Sequence, residues 1–217
     1  MKHFHTHVAN AQTEGVLIRW ALFYALVTNV LTVGQAKRLR NLTVELTLLR
    51  PGESILDLGC GTGGVTIPAK QRVGSEGRAA GIDPSPEMIA MAQQKAHRKG
   101  LDIDFQVGVI EALPFPNASF DVITASLMMH HLPEHLQVKG AAEIYRVLKP
   151  GGRLLIADMI RPKSFAGLGA LLIILLHHGW PFDGEDLRRL LTGAGFPDAV
   201  RLDQRFSAVG FMRATKV

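Results

Sequence analysis

"ILDLGCGTGG", residues 55–64, is the stretch on which the fold reading turns. A short apolar run ends in four glycines, Gly59, Gly61, Gly63 and Gly64. A loop this bare lets a ligand lie directly against backbone. Its spacing reads as G-x-G-x-G over Gly59, Gly61 and Gly63, or as G-x-G-x-x-G over Gly59, Gly61 and Gly64. The second is the dinucleotide fingerprint. Taken alone, the loop leaves open whether its ligand is a pyrophosphate or something without phosphates.

The flanking sequence alternates strand and helix signals. "ESILDLG" (53–59) predicts a strand, and "GVTIPAKQRVG" (64–74) starts a helix with Pro68 in its first turn or two. "GRAAGID" (77–83) is the next strand. "SPEMIAMAQQKAHRKG" (85–100) is a helix with Ser85 at its N-cap, Pro86 at its first position and Gly100 as its stop. "IDFQVG" (103–108) and "FDVITAS" (120–126) are strands, "PEHLQVKGAAEIYRVLKPGG" (133–152) is a helix ended by Pro-Gly-Gly, and "RLLIADM" (153–159) is a fifth strand. This βαβ rhythm implies a mainly parallel sheet with ligands at the carboxyl ends of its strands. The tail differs. After a helix over "DGEDLRRLLTGAGF" (183–196), the segments "DAVRLDQRF" and "SAVGFMRATKV" read as two strands with almost no connection. A connection that short requires antiparallel pairing. The expected fold is therefore α/β: a Rossmann-like, doubly wound, seven-stranded sheet that closes with an antiparallel hairpin.

Bulk properties fit one such domain. The chain has 217 residues, 47% hydrophobic and 20% charged, enough for a sizeable core. Its single cysteine, Cys60, excludes an internal disulfide and suits a reducing compartment. No secretory signal is visible in "MKHFHTHVAN", where His3, His5 and His7 read as a tail. The net charge of +5 and pI near 9.6 permit contact with an anionic surface without requiring it. "WALFYALVTNVLTV" (20–33) and "FAGLGALLIILL" (165–176) are apolar but short. A membrane span needs roughly 20 apolar residues, so both read as buried or interfacial helices.

Four ordered segments, "ILDLGCGTG", "GIDPSPEMIAMA", "EALPFPNASFDVITA" and "EIYRVLKPGGRLLIAD", together resemble the class I S-adenosylmethionine-dependent methyltransferases. The resemblance spans roughly residues 35–215, the range of the strand and helix signals. Within that class it is nearest the ubiquinone and menaquinone biosynthesis group. It implies S-adenosylmethionine as cofactor and S-adenosylhomocysteine as product. It also implies residues 1–34 as an N-terminal helical lid carrying Trp20 and Tyr24, and residues 35–217 as the catalytic domain, with a helical insertion around 163–180. Asp57 agrees with this reading. A carboxylate just before the glycines repels a pyrophosphate but attracts the ammonium of a methionine moiety.

The resemblance carries over residue by residue. Gly59, Gly61 and Gly63 would let the methionyl part approach the backbone, unless some serve only the turn and helix packing. Asp83, at the end of the second strand, would accept bonds from two ribose hydroxyls. Pro84 and Met88 would pack on adenine, or serve as helix start and core. Gly108, Val109 and Ile110 would edge the adenine by backbone groups. Many relatives have an aspartate at the place of Val109, and that contact is missing here. Ser126 would line the site at the end of the fourth strand. His130 and His131, in "LMMHHLPEHL", are the candidate catalytic residues, since histidine titrates near neutrality and can take a proton from a phenol or an activated carbon. The alternative is that His131 holds the loop by bonding backbone. Asp158 would face substrate or cap the next segment. Cys60 packs, having no activating partner. His130, His131 and His135 lack a carboxylate-rich motif, so no metal is expected.

The acceptor follows by elimination. Ser126-Leu127-Met128-Met129 is not the Asn/Asp-Pro-Pro-aromatic run of nucleic-acid amino-methyltransferases. No second cysteine serves RNA carbon methylation, and no carboxylate set for a catechol-type magnesium site is visible. What remains is a small or lipid acceptor: a quinone precursor, another aromatic compound, or a phospholipid head group. The protein is expected in the cytoplasm, with peripheral membrane contact favoured by its charge and no nucleic-acid partner. Two other classes stay open: a non-catalytic cofactor-binding protein, supported by Val109, and an NAD(P)-dependent oxidoreductase.

Overall fold

The alternation of short apolar runs with capped amphipathic segments folds into one sheet with helices on both faces. The structure is a computed structural model, and it describes residues 36–159, 183–206 and 209–217. The lid over 1–34 with Trp20 and Tyr24, the histidines of the tail, the apolar stretches 20–33 and 165–176, and the insertion around 163–180 lie outside the described residues.

In chain order the elements are α1 (Ala36–Leu46), β1 (Ser54–Leu58), α2 (Thr66–Val73), β2 (Arg78–Asp83), α3 (Pro86–His97), β3 (Asp104–Val107), β4 (Phe120–Ser126), a 3-10 turn (Met129–His131), α4 (Glu134–Val147), β5 (Leu148–Met159), α5 (Gly184–Gly193), β6 (Val200–Phe206) and β7 (Val209–Thr215). The sheet order is β3-β2-β1-β4-β5-β7-β6. Strands β1 to β5 pair in parallel, whereas β7 runs antiparallel to both β5 and β6. The terminal hairpin is thus where its short connection demands it.

Two layers of apolar side chains seat the sheet. On one face Leu56, Leu58, Ile123 and Ile156 pack with Ile144 of α4 and Leu187 and Leu191 of α5. On the other, Ile55 and Val122 meet Val44 of α1 and Ala69 and Val73 of α2, and Phe105 meets Ile89 and Ala92 of α3. Burying each large side chain contributes roughly 1.5–3 kcal/mol. The cap of α3 forms as its sequence predicts: Ser85 Oγ accepts the Met88 N–H at 3.2 Å, and Gly100 takes a positive φ of 62°. Pro68 falls in the first turn of α2, where its missing N–H costs nothing.

Two readings need correction. α4 stops at Val147, short of the Pro-Gly-Gly. Leu148 is already extended, at φ −74° and ψ 136°, because the residue before the Lys149-Pro150 pair is entering β5. Helix α1 was not read from the sequence at all. It is amphipathic, burying Ala36, Leu39, Thr43 and Val44, and it sets Arg40 beside the glycine loop.

Candidate active site

The carboxyl end of β1 feeds the glycine loop, and three of its glycines take left-handed backbone: Gly59 at φ 61°, Gly61 at 51° and Gly63 at 77°. Their α-carbons face different surroundings. A β-carbon on Gly59 would stand 2.8 Å from Cβ of Met128, so β4's following loop presses on it. One on Gly63 would meet Ile67 and Phe105 at 3.1 Å, so Gly63 faces the core. One on Gly61 would meet nothing within 4 Å. Gly61 is the bare backbone that fronts open space, and Gly63 is the packing glycine. Cys60 is buried between them and its Sγ contacts Gly61 O at 3.7 Å. Burial pushes its thiol well above the usual range.

Asp57 lies on the floor of a solvent-open cleft. It is 1% exposed. Thr66 Oγ1, on the first turn of α2, donates to Oδ2 at 2.6 Å, and Thr124 Oγ1, opposite Asp57 on β4, donates to Oδ1 at 2.9 Å. Burial pushes the carboxyl up to about 6, against the lowering effect of both hydroxyls, and the nearby Asp83 charge adds to the rise. Gly59, Gly61 and Ser126 line the same cleft, and Ala36, Leu39 and Arg40 of α1 form its wall.

Asp83 is tied to the loop from the next strand. Its Oδ2 accepts the Gly61 N–H and its Oδ1 the Ser85 N–H, both at 2.9 Å. Each oxygen has one N–H partner here and a second lone pair to offer. Burial holds this carboxyl above its usual range. Gly108 N–H donates to Asp83 O at 3.1 Å, which draws the end of β3 against β2. Pro84 and Val109 there are half-buried, whereas Met88 and Ile110 are buried. Ile110 packs on α4, where a β-carbon at Gly140 would stand 2.9 Å from it. The structure therefore gathers Asp57, Gly59, Gly61 and Ser126 in one cleft. It sets Asp83 and Pro84 at the end of β2, Met88 in the first turn of α3, and Gly108, Val109 and Ile110 just past β3, outside that cleft's lining.

Two cations near the loop were not read from the sequence. The Arg40 side chain lies over Gly64: a β-carbon there would sit 2.7 Å from Nε. Lys95 of α3 reaches Thr62 Oγ1 at 2.6 Å, and burial together with the Arg40 charge lowers its pKa. The cleft thus offers a carboxylate on its floor and a guanidinium on its wall, a pattern that complements a zwitterion. The fourth glycine was the available signal, since Gly64 has no positive φ and so needs another reason to lack a side chain.

At the end of β4, His130 and His131 part company. The His130 side chain is 1% exposed, and its Nδ1 bonds Oδ1 of the equally buried Asp158. Asp158 Oδ2 also accepts the N–H groups of Met129 at 2.9 Å and His130 at 3.3 Å, and Oδ1 accepts that of Met159 at 2.7 Å. Asp158 therefore caps the 3-10 turn that precedes it in the chain, whereas the segment after it, which it was expected to cap, lies outside the described residues. The His131 ring is half-buried and lies 3.9 Å from that of His130, tilted by 41°. Its backbone N–H bonds Met128 O at 3.2 Å. Among the described residues no three His, Cys, Asp or Glu side chains group to hold a metal.

Comparison with known proteins gives this geometry its family. Residues 55–152 match the family described as a methyltransferase domain. The demethylmenaquinone methyltransferase of Deinococcus radiodurans is 34% identical over 201 residues, covering 87% of this chain and 80% of that protein. The enzyme of the same name from Thermus thermophilus is 35% identical over 162 residues, covering 74% and 71%. The crystal structure of a SAM-dependent methyltransferase from Aquifex aeolicus shares the fold, with a TM-score of 0.68 at 23% identity over 82% of this chain and 89% of that one. The sheet order, the glycine loop and this similarity together make the chain a member of the class I S-adenosylmethionine-dependent methyltransferase family.

Proposed function

We propose that this methyltransferase acts on an apolar phenolic acceptor of the demethylmenaquinol type. The observation that carries the reading is the similarity to a demethylmenaquinone methyltransferase over 80% of that protein's length. Two further features support it. The sequence carries two apolar stretches, 20–33 and 165–176, of the kind an apolar acceptor calls for. The net charge of +5 favours approach to an anionic membrane surface, where such an acceptor resides. Among the described residues no helix is long and apolar enough to cross a membrane. The protein works in the cytoplasm with peripheral membrane contact.

The cleft suits the family's cofactor. When bound, S-adenosylmethionine supplies an electrophilic methyl group on a sulfonium. Asp57 holds the ammonium, directly or through water, and Arg40 holds the carboxylate. The open α-carbon of Gly61 leaves room for the chain between them, with Gly59 and Gly63 shaping the loop. Asp83 offers its remaining lone pairs to the ribose hydroxyls. Pro84, Met88, Gly108, Val109 and Ile110 edge the base, and Ser126 lines the side toward the acceptor. Alignment of this kind supplies roughly 7–11 kcal/mol of a barrier. His130 takes the acceptor's proton, and His131 buttresses its ring.

The test supplies methyl-labelled S-adenosylmethionine with either a short-chain demethylmenaquinol or phosphatidylethanolamine vesicles. Label on the quinol is expected. Label on the phospholipid alone would move the protein to head-group methylation. Cofactor binding with no transfer to either would remove the acceptor reading.

A further inference from the structure

We propose that Asp158 is a positioning residue that fixes His130 in the tautomer protonated on Nδ1, so that Nε2 is the basic nitrogen. The inference rests on the reading of His130 as the proton acceptor. Asp158 is the last residue but one of β5, and the turn carrying His130 follows the adjacent β4, with Ser126 and Ala157 in register. That adjacency brings side chains 28 residues apart into contact.

The hydrogen-bond pattern assigns the tautomer. Asp158 accepts three backbone N–H groups, from Met129, His130 and Met159. With both oxygens already accepting N–H groups, the carboxylate meets the ring as a hydrogen-bond acceptor. The ring nitrogen facing it must therefore donate. Nδ1 carries the proton, and in the neutral ring Nε2 keeps its lone pair. Both side chains are 1% exposed, so this pairing is little screened by water.

The proton step balances within the chain. The acceptor O–H bond breaks, its electron pair stays on the acceptor, and a new N–H bond forms at Nε2. The positive charge that forms on the ring faces the Asp158 carboxylate. The electron pair left on the acceptor is what the family's methyl transfer consumes. The tilted His131 ring, 3.9 Å away, limits rotation of the His130 ring.

Asp158→Asn separates this role from turn capping. Asparagine keeps an oxygen for the two turn donors, Met129 and His130, and gives up the acceptor for Met159, while its amide donates toward Nδ1 and forces the proton to Nε2. With a short-chain demethylmenaquinol as probe, kcat should fall about 100-fold or more, while the Kd for S-adenosylmethionine stays within about 3-fold, well under the roughly 10-fold that one lost hydrogen bond costs. His130→Ala combined with Asp158→Asn should be no slower than His130→Ala alone, since residues acting as a unit are not additive. Nitrogen NMR of the wild-type protein should show His130 protonated on Nδ1, and the variant should show the reverse. A wild-type proton on Nε2 would overturn the proposal, as would parallel losses in kcat and cofactor affinity. Should Asp158→Asn fail to fold, the wild-type nitrogen shifts still decide. Should the wild type leave the quinol untouched, the acceptor reading alone fails, because the tautomer is measured without any acceptor.

Discussion

The side chain of Arg40 lies across the α-carbon of Gly64, so close that a methyl group there would stand 2.7 Å from Nε. A flexible side chain yields easily, so Gly64→Ala should fold normally and displace the guanidinium. A hydrogen bond to a charged group contributes about 1.5–3 kcal/mol. Arg40→Ala should therefore weaken S-adenosylmethionine binding about 10- to 100-fold, with Gly64→Ala following in the same direction. Titration with decarboxylated S-adenosylmethionine checks the assignment: Arg40→Ala should hardly change its affinity. An equal loss for both ligands would mean that Arg40 only shapes the wall.

Asp57 should make cofactor binding sensitive to pH. Its carboxyl is pushed up to about 6, first by burial. A carboxyl raised above its unfolded value of about 3.9 favours the folded state below that pH, and this stability is lost as pH rises through 6. The size is on the order of 3 kcal/mol for a fully buried group. Without ligand, the wild type should gain stability relative to Asp57→Asn as pH falls from 7 to 4. An ammonium ligand favours the ionised form, so binding should release a proton near pH 6 and weaken below it. Calorimetry in buffers of different ionisation heat measures the release, and Asp57→Asn should abolish it.

The glycines of the loop should divide by what they face. Gly61→Ala adds a methyl into open space at φ 51°. It should cost only the left-handed strain, about 1 kcal/mol, yet obstruct the cofactor. Gly63→Ala drives a methyl against Ile67 and Phe105 at 3.1 Å. Strain and overpacking together should cost about 2–4 kcal/mol. Thermal melts paired with cofactor titration separate the two. If Gly61→Ala bound the cofactor normally, the open face of the loop would not be the ligand's side.

Most of this fold was legible because its signals are local. Ser85, Pro86 and Gly100 mark α3 within its own segment, and the short link between the last strands dictates their antiparallel pairing. Helix α1 was missed because Thr43 stands among its buried positions and the Pro51-Gly52 stop does not directly follow Leu46. Gly59 and Gly61 on the loop and Asp83 at the end of β2 could be located from the sequence because each is set by its own segment. The site was not legible where two distant elements meet. Arg40 and Gly64 are joined by α1 packing on the loop, and His130 and Asp158 by the β4–β5 pairing. Val109 lacks the expected carboxylate, and the backbone just before it is tied to β2 by the Gly108 N–H to Asp83 O bond.

The most direct measurement uses methyl-labelled S-adenosylmethionine and the purified protein with a total cell extract, followed by partition of the label. The account predicts label in the lipid fraction, on a quinone-like species, reduced by Asp83→Ala through cofactor binding and by His130→Ala through turnover. Label confined to water-soluble metabolites, protein or nucleic acid would contradict the apolar acceptor.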